Sequence, residues 1–215
     1  MKIYFLLLFI MILLLYEGII CSLYYVPRKI KIISFAALIL MTFRYITLII
    51  LLIVKDQNHL YMLKPLVYTN FLCIPICGII SVFIFVRKNT IKLRKIILIS
   101  GVLCLGYCIV IYNSSANTAI SNLYGYTIKL QLENYFYYTS LIINSILIIM
   151  GINLFNRRYS NKLGSSLIVI SASITLISVL LTSINTSFNF LLLGDISWIL
   201  TMDYALNKVK RRALK

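Results

Sequence analysis

The chain has 215 residues, of which 61% are hydrophobic and 12% are charged, and its formal net charge is +16. Soluble domains carry about 25% charged residues. Together with a mean hydropathy of +0.98, this composition excludes an ordinary water-soluble domain. A basic soluble protein would suggest nucleic-acid binding, but here the basic residues lie between apolar runs, where they meet lipid headgroups. We therefore expect no nucleic-acid partner.

The apolar residues form seven runs, each close to the length of about 20 residues that a helix needs to cross a bilayer. The predicted helices are Ile3–Val26, Ile32–Val54, Pro65–Val86, Ile96–Tyr112, Tyr138–Phe155, Ser166–Ile184 and Asn189–Leu206. The first is too long for a signal peptide and is expected to be retained. The last is the least apolar, because Asp195 and Asp203 interrupt it. We expect an all-α, polytopic transmembrane bundle that forms a single integral membrane domain over residues 1–215.

The basic residues predict the orientation of this bundle. An N-terminus outside the cell would place sixteen of the 21 basic residues on the cytoplasmic side, and the positive-inside rule favours that arrangement. The cytoplasmic set would be Arg28, Lys29, Lys31, Arg87, Lys88, Lys92, Arg94, Lys95, Arg157, Arg158, Lys162, Lys208, Lys210, Arg211, Arg212 and Lys215. The outer set would be Lys2, Lys55, Lys64 and Lys129, and Arg44 lies within a helix. An even number of helices would reverse the basic tail, so the split supports the seventh helix.

One connection, the outer loop 113–137, is much longer than the others. Near its end Ile128, Leu130 and Leu132 alternate with polar residues, which is the spacing of a strand. The run Tyr135–Tyr138 then leads back into the bilayer. Such a run is typical of an interfacial aromatic belt, and the alternative is the wall of an external ligand site.

Three charged residues are predicted to lie deep within the bilayer, where charges are costly. Glu17, Arg44 and Asp195 fall about 14 to 18 Å from the cytoplasmic ends of their helices at 1.5 Å per residue. We expect Arg44 to sit between the two carboxylates. The set would be either an ion-pair knot that fixes helix packing or a polar ligand-binding site or switch.

Other candidate features are weaker. Pro75 removes a helix hydrogen bond and is a hinge candidate, with a simple bend as the alternative. The cysteine pairs Cys73–Cys77 and Cys104–Cys108 would together supply four thiolates that suit a soft metal, but buried packing explains them more simply, so no metal is predicted. No catalytic or cofactor motif is present in the sequence, and we expect neither an enzyme nor a cofactor.

The third predicted helix has a tyrosine, Tyr68, seven residues before Pro75, and the aromatic residues Phe83 and Phe85 follow. The long outer connection re-enters the bilayer at Tyr135–Tyr138, and the run Gly194–Ser197 lies near the start of the seventh helix. In these features the layout of most of the chain resembles the N-terminal seven-helix sensory region of bacterial histidine kinases. No kinase part follows within the sequence, and Arg44 departs from the pattern. The resemblance implies signal detection in a bacterial cell membrane.

These observations predict a multi-pass membrane protein that serves as a sensor or receptor-like module without its own output domain. The alternative is a transporter or the permease subunit of an export system. The expected partners are the lipid bilayer, anionic headgroups or a cytoplasmic protein at the basic tail 207–215, and a partner subunit if the chain belongs to a larger assembly.

Overall fold

The computed structural model describes residues 2–54, 60–86, 93–121, 125–157, 160–184 and 190–213, and the prediction of an all-α protein is confirmed. The basic residues Lys55, Arg87, Lys88, Lys92, Arg158 and Lys215 lie outside the described residues. The helices are α1 (Lys2–Tyr25), α2 (Arg28–Ile53), α3 (Lys64–Val67), α4 (Asn70–Phe85), α5 (Leu93–Asn113), α6 (Glu133–Phe155), α7 (Lys162–Ile184) and α8 (Leu191–Ala213). A 3₁₀ turn at Leu60–Leu63 precedes α3.

Within the described ranges, six helical segments are long and apolar enough to cross a membrane. They include the combined segment Leu60–Phe85, which joins α3 and α4. Helix α8 has 23 residues, the same number as α6 and α7, but its acidic and basic residues make it more polar. It also extends beyond the predicted end at Leu206, so that most of the predicted tail is helical. Neither glycine nor proline occurs between Asn207 and Ala213 to stop it.

Two helices form the centre of the bundle. Helix α4 packs against α2, α5, α6, α7 and α8, and α8 packs against α1, α4 and α7. The indole of Trp198 on α8 is fully buried, and its Nε1 donates a hydrogen bond to Asn144 Oδ1 on α6 at 3.2 Å. In contrast, α5 lies at the periphery and contacts mainly α4. Only 6% of its apolar stretch Ile96–Asn113 is buried.

The predicted third helix is interrupted in the structure. Helix α3 ends at Val67, and α4 begins at Asn70, so Tyr68 and Thr69 form a break between them. Helical order resumes when the Cys73 amide donates to the Thr69 carbonyl at 2.9 Å. Pro75 lies inside α4, six residues after Thr69, and is buried.

The long connection folds into a β-hairpin, with β1 (Ala116–Ser121) antiparallel to β2 (Gly125–Leu130). The predicted strand spacing is thus correct for Ile128 and Leu130, but the chain leaves the strand before Leu132 and starts α6 at Glu133 instead of Tyr138. Gly125 has a φ of +70°, which suits glycine, and a side chain there would meet the Leu51 carbonyl oxygen at 2.8 Å. The hairpin is therefore seated on the end of α2. We call this the hairpin end of the bundle and the opposite end, where α8 terminates, the tail end.

Candidate functional site

A buried ion pair links α2 to α8. Arg44 Nη1 lies 2.5 Å from Asp195 Oδ2, and both side chains are 3% exposed. The hydroxyl of Tyr45 donates to the same carboxylate oxygen at 2.9 Å and accepts from Arg44 Nη1 at 3.1 Å. The charges compensate each other, which is the condition under which ionised groups are found inside a bundle.

Arg44 also forms a hydrogen bond to the interrupted helix. Its Nε donates a hydrogen bond to the carbonyl oxygen of Val67 at 2.9 Å, at the point where α3 ends. An unpaired carbonyl at that depth would be costly, and the guanidinium removes the cost. The one side chain thus joins α2, the α3–α4 break and α8.

Glu17 does not join this group. Its Oε1 accepts a hydrogen bond from Asn207 Nδ2 on α8 at 3.2 Å, nearer the tail end. The neighbouring residue Gly18 faces Asp203, which is 6% exposed and whose two carboxylate oxygens have no hydrogen-bond partner in the described part of the chain. The expected position of Arg44 between two carboxylates is therefore replaced by two separate acidic positions on α8: Asp195 with Arg44, and Asp203 beside Glu17 and Gly18.

A cavity of about 150 Å³ lies between β2 and the helices at the hairpin end. Arg44 and Leu48 of α2, Tyr4 of α1 and Thr182 of α7 line it. Its other lining residues are Leu51, Val67, Tyr68, Asn70, Phe71, Tyr126, Thr127, Ile128, Lys129, Glu133, Tyr137 and Leu191. The ion pair therefore borders a cavity that also has apolar, aromatic and carboxylate walls, which is the usual composition of a small-molecule site.

Tyr68, in the break, holds the hairpin against the bundle. Its hydroxyl lies 2.9 Å from the Ile128 carbonyl oxygen and 2.8 Å from Glu133 Oε2, and the Leu130 amide donates to it at 3.3 Å. The ring stacks on Phe71 and Phe136, with centroid distances of 6.2 Å and 5.7 Å. One residue thus fixes the position of β2, the start of α6 and the wall of the cavity.

The aromatic run at the start of α6 divides between two environments. Phe136 is buried, and the Phe71 ring lies 5.7 Å from the Tyr137 ring. Tyr135 and Tyr138 are 59% and 62% exposed on the outer surface of the bundle. Helical spacing explains the division, because adjacent residues differ by about 100° around the axis. Tyr137 thus lines the cavity and Tyr135 and Tyr138 face outward, while the aromatic belt and the ligand-site wall both stay predictions.

The remaining candidates are Pro75 and the two cysteine pairs. Pro75 borders a much smaller void of about 10 Å³ together with Asn70 and Asp195. Cys73 and Cys77 are buried, whereas Cys104 and Cys108 are exposed on α5. In the residues that the structure describes, no three His, Cys, Asp or Glu side chains are grouped to hold a metal ion.

No protein-family model and no curated protein matches the chain. The functional assignment therefore depends on the geometry of the site. The sequence indicated Arg44 and Asp195 by depth and Tyr137 as part of the aromatic run, but it did not indicate Asn70 or Glu133. Glu133 was the one acidic residue of the long connection close to the aromatic run, and that proximity was the available signal.

Proposed function

We propose that this chain is a sensor module of a membrane, and that its ligand binds in the hairpin-end cavity. One observation carries the proposal: Arg44 lines the cavity, and its partner Asp195 belongs to α8, whose other end carries Lys208, Lys210 and Arg211. A ligand that changes the hydrogen bonding of Arg44 would favour one position of α8 over another. Such a difference in affinity between two positions is what a ligand-driven switch requires.

The orientation that follows places the hairpin end outside the cell and the tail end in the cytoplasm. The distribution of basic residues supports it, because α8 ends in a cluster of cations and the positive-inside rule assigns such clusters to the cytoplasm. Lys210 Nζ lies 4.8 Å from the centroid of the Tyr25 ring, so the end of α8 is held against α1. The exposed Arg211 is available to anionic headgroups or to a cytoplasmic partner.

The sensor proposal is tested with a fluorophore at the tail end. The native cysteines are replaced, Arg211→Cys is labelled with an environment-sensitive dye, and the protein in nanodiscs is screened against small polar metabolites. A ligand of the cavity should change the fluorescence, and Tyr137→Phe should weaken the response. The matched control is Tyr138→Phe, because this neighbouring tyrosine points away from the cavity.

A transporter remains the second candidate, favoured by the interrupted segment α3–α4 beside a buried ion pair, since broken helices line substrate sites in transporters. The same protein in sealed vesicles separates the two. A ligand that binds, accumulates inside the vesicles and leaves the dye unchanged would replace the sensor with a transporter. Reporter fusions after Tyr126 and Lys215 test the orientation, and an external C-terminus would reverse it.

A further inference from the structure

The charges around the hairpin-end cavity are unevenly compensated. Arg44 is neutralised by Asp195, and the two form the one ion pair among the described residues. Glu133 also lines the cavity and has no cationic partner in that set. Lys129 is the other charged lining residue, and its side chain is exposed on β2. Glu133 is therefore the one acidic residue among the described residues that line the cavity, and Lys129 is a second unpaired lining charge, whose exposed side chain is screened by water.

Glu133 is held in a fixed position by two phenols. Tyr68 lies 2.8 Å from its Oε2, and the Tyr137 hydroxyl donates to its Oε1 at 3.2 Å. A carboxylate offers about four acceptor positions, so both oxygens can accept a further hydrogen bond. The two tyrosines orient the carboxylate without neutralising it, and this prepares it for a cationic donor.

A second acceptor lies in the same wall. Asn70 is 4% exposed, and its Oδ1 has no hydrogen-bond partner among the residues described. A buried acceptor without a donor is energetically costly, so a native structure that contains one usually gains the donor from elsewhere. Asn70 lines the cavity, but its Oδ1 atom is itself covered, so a ligand can supply the donor once the Asn70 side chain rotates.

Aromatic rings complete this part of the cavity. Tyr68, Phe71, Tyr126 and Tyr137 all line it, and the Phe71 ring lies 5.3 Å from that of Phe136 behind them. Ring faces attract cations and also pack against apolar groups. The rings and Glu133 both attract an ammonium group, and Arg44, which also lines the cavity, is neutralised by Asp195.

We propose that the hairpin-end cavity binds a small primary amine in its protonated form, with the ammonium group donating hydrogen bonds to Glu133 and Asn70 Oδ1 and the apolar part packed against the aromatic rings. This assignment rests on the proposed function, because it names the ligand class of the same site. A cavity of about 150 Å³ holds a molecule the size of benzene, so the ligand is one ring or a short chain. The N–H donors that Asn70 needs distinguish a primary amine from a quaternary ammonium ion.

Three probes of one shape test the charge that the cavity prefers: benzylamine, benzyl alcohol and benzoate. Binding to the full chain in nanodiscs is measured by saturation-transfer NMR and by the shift in the thermal unfolding midpoint. We expect benzylamine to bind about tenfold more tightly than benzyl alcohol, as a charge-assisted hydrogen bond implies, and benzoate to bind least. Benzyl alcohol also reports partition into the lipid, because it shares the ring and lacks the charge.

Variants then locate the site. Glu133→Gln should remove the preference for benzylamine over benzyl alcohol. Tyr137→Phe should weaken that preference a few-fold, because the carboxylate loses one of the two hydrogen bonds that orient it. The matched control Glu17→Gln changes a carboxylate near the tail end and should leave binding unchanged. If Glu133→Gln fails to fold, Tyr137→Phe against Tyr138→Phe makes the same comparison with smaller changes.

The outcomes separate this inference from the sensor proposal. Preferential binding of benzoate, or no preference among the probes, overturns the amine assignment and leaves the cavity available to another ligand. A benzylamine preference that survives Glu133→Gln overturns it as well. Glu133-dependent binding of benzylamine supports the assignment, and if the dye at position 211 then stays unchanged, the ligand class stands while the sensor function fails.

Discussion

Arg44 and Asp195 are 151 residues apart in the chain, yet their side chains meet at 2.5 Å with almost no exposure. Removing one charge of a buried pair leaves the other uncompensated and costs about 3–5 kcal/mol. We therefore expect Asp195→Asn and Arg44→Gln each to lower the free energy of unfolding by that amount. Reversible chemical unfolding of the protein in mixed micelles measures it.

The double change Arg44→Met with Asp195→Leu should recover much of that loss, because an apolar pair leaves no buried charge. Its recovery should be incomplete, since the Val67 carbonyl loses its donor. A double variant as unstable as the two single changes combined would show that the two residues act independently and that the pair does not hold α2 to α8.

Tyr45 supports the pair from the side. It is fully buried, and its hydroxyl donates to Asp195 Oδ2 at 2.9 Å. Tyr45→Phe should reduce the free energy of unfolding by about 1–2 kcal/mol through loss of a hydrogen bond to a charged group. Tyr16→Phe is the control, because Tyr16 is 65% exposed and its change should have little effect. Equal losses in the two variants would show that the Tyr45 hydroxyl does not stabilise the ion pair.

The second buried acid of α8 should behave in the opposite way. Asp203 is buried, and among the described residues neither carboxylate oxygen has a hydrogen-bond partner. Uncompensated charge inside a bundle is destabilising, so Asp203→Asn should leave the free energy of unfolding unchanged or raise it by about 1 kcal/mol. Thermal unfolding of Asp203→Asn beside Asp195→Asn makes the comparison. A loss as large as that of Asp195→Asn would mean that Asp203 has a stabilising partner.

Gly18 provides a prediction about packing. A Cβ atom there would lie 2.5 Å from Asp203 Oδ1, so Gly18→Ala should cost about 1–3 kcal/mol by overpacking. Gly106→Ala is a matched control within a helix, because nothing lies within 4 Å of its Cβ position. That control should be neutral or stabilising by about 0.5–1 kcal/mol. Equal effects of the two changes on the unfolding midpoint would contradict the close approach of α1 and α8.

The sequence was informative about length and depth and much less about rotation. Apolar runs predicted the helices, and counting from their ends placed Arg44 and Asp195 at similar heights. Depth does not say which way a side chain points around the axis, and these helices are apolar on nearly every face. Counting residues also misplaced Glu17, because its partner Asn207 lies twelve residues after Asp195 on α8, about 18 Å further along the helix axis at 1.5 Å per residue.

The break between α3 and α4 was also hidden in the sequence. The residues at the break, Tyr68 and Thr69, are not the glycine or proline that usually marks one. The break is compensated by Arg44 from another helix, which local patterns cannot reveal. The strand β1 was missed for a similar reason: its residues Ala116–Ser121 show no alternation, and pairing with β2 supplies their hydrogen bonds. The cavity depends on both features, so its position could not be predicted either.

The seating of Gly125 on the end of α2 has a consequence for how the cavity can vary. A side chain at this position would meet main-chain atoms of Leu51 and Leu52, and main chain cannot rotate away as a side chain can. The chemistry of the cavity can therefore change through residues such as Glu133 and Asn70. Its width between β2 and α2 is set by backbone against backbone, so a larger ligand would require the whole hairpin to move.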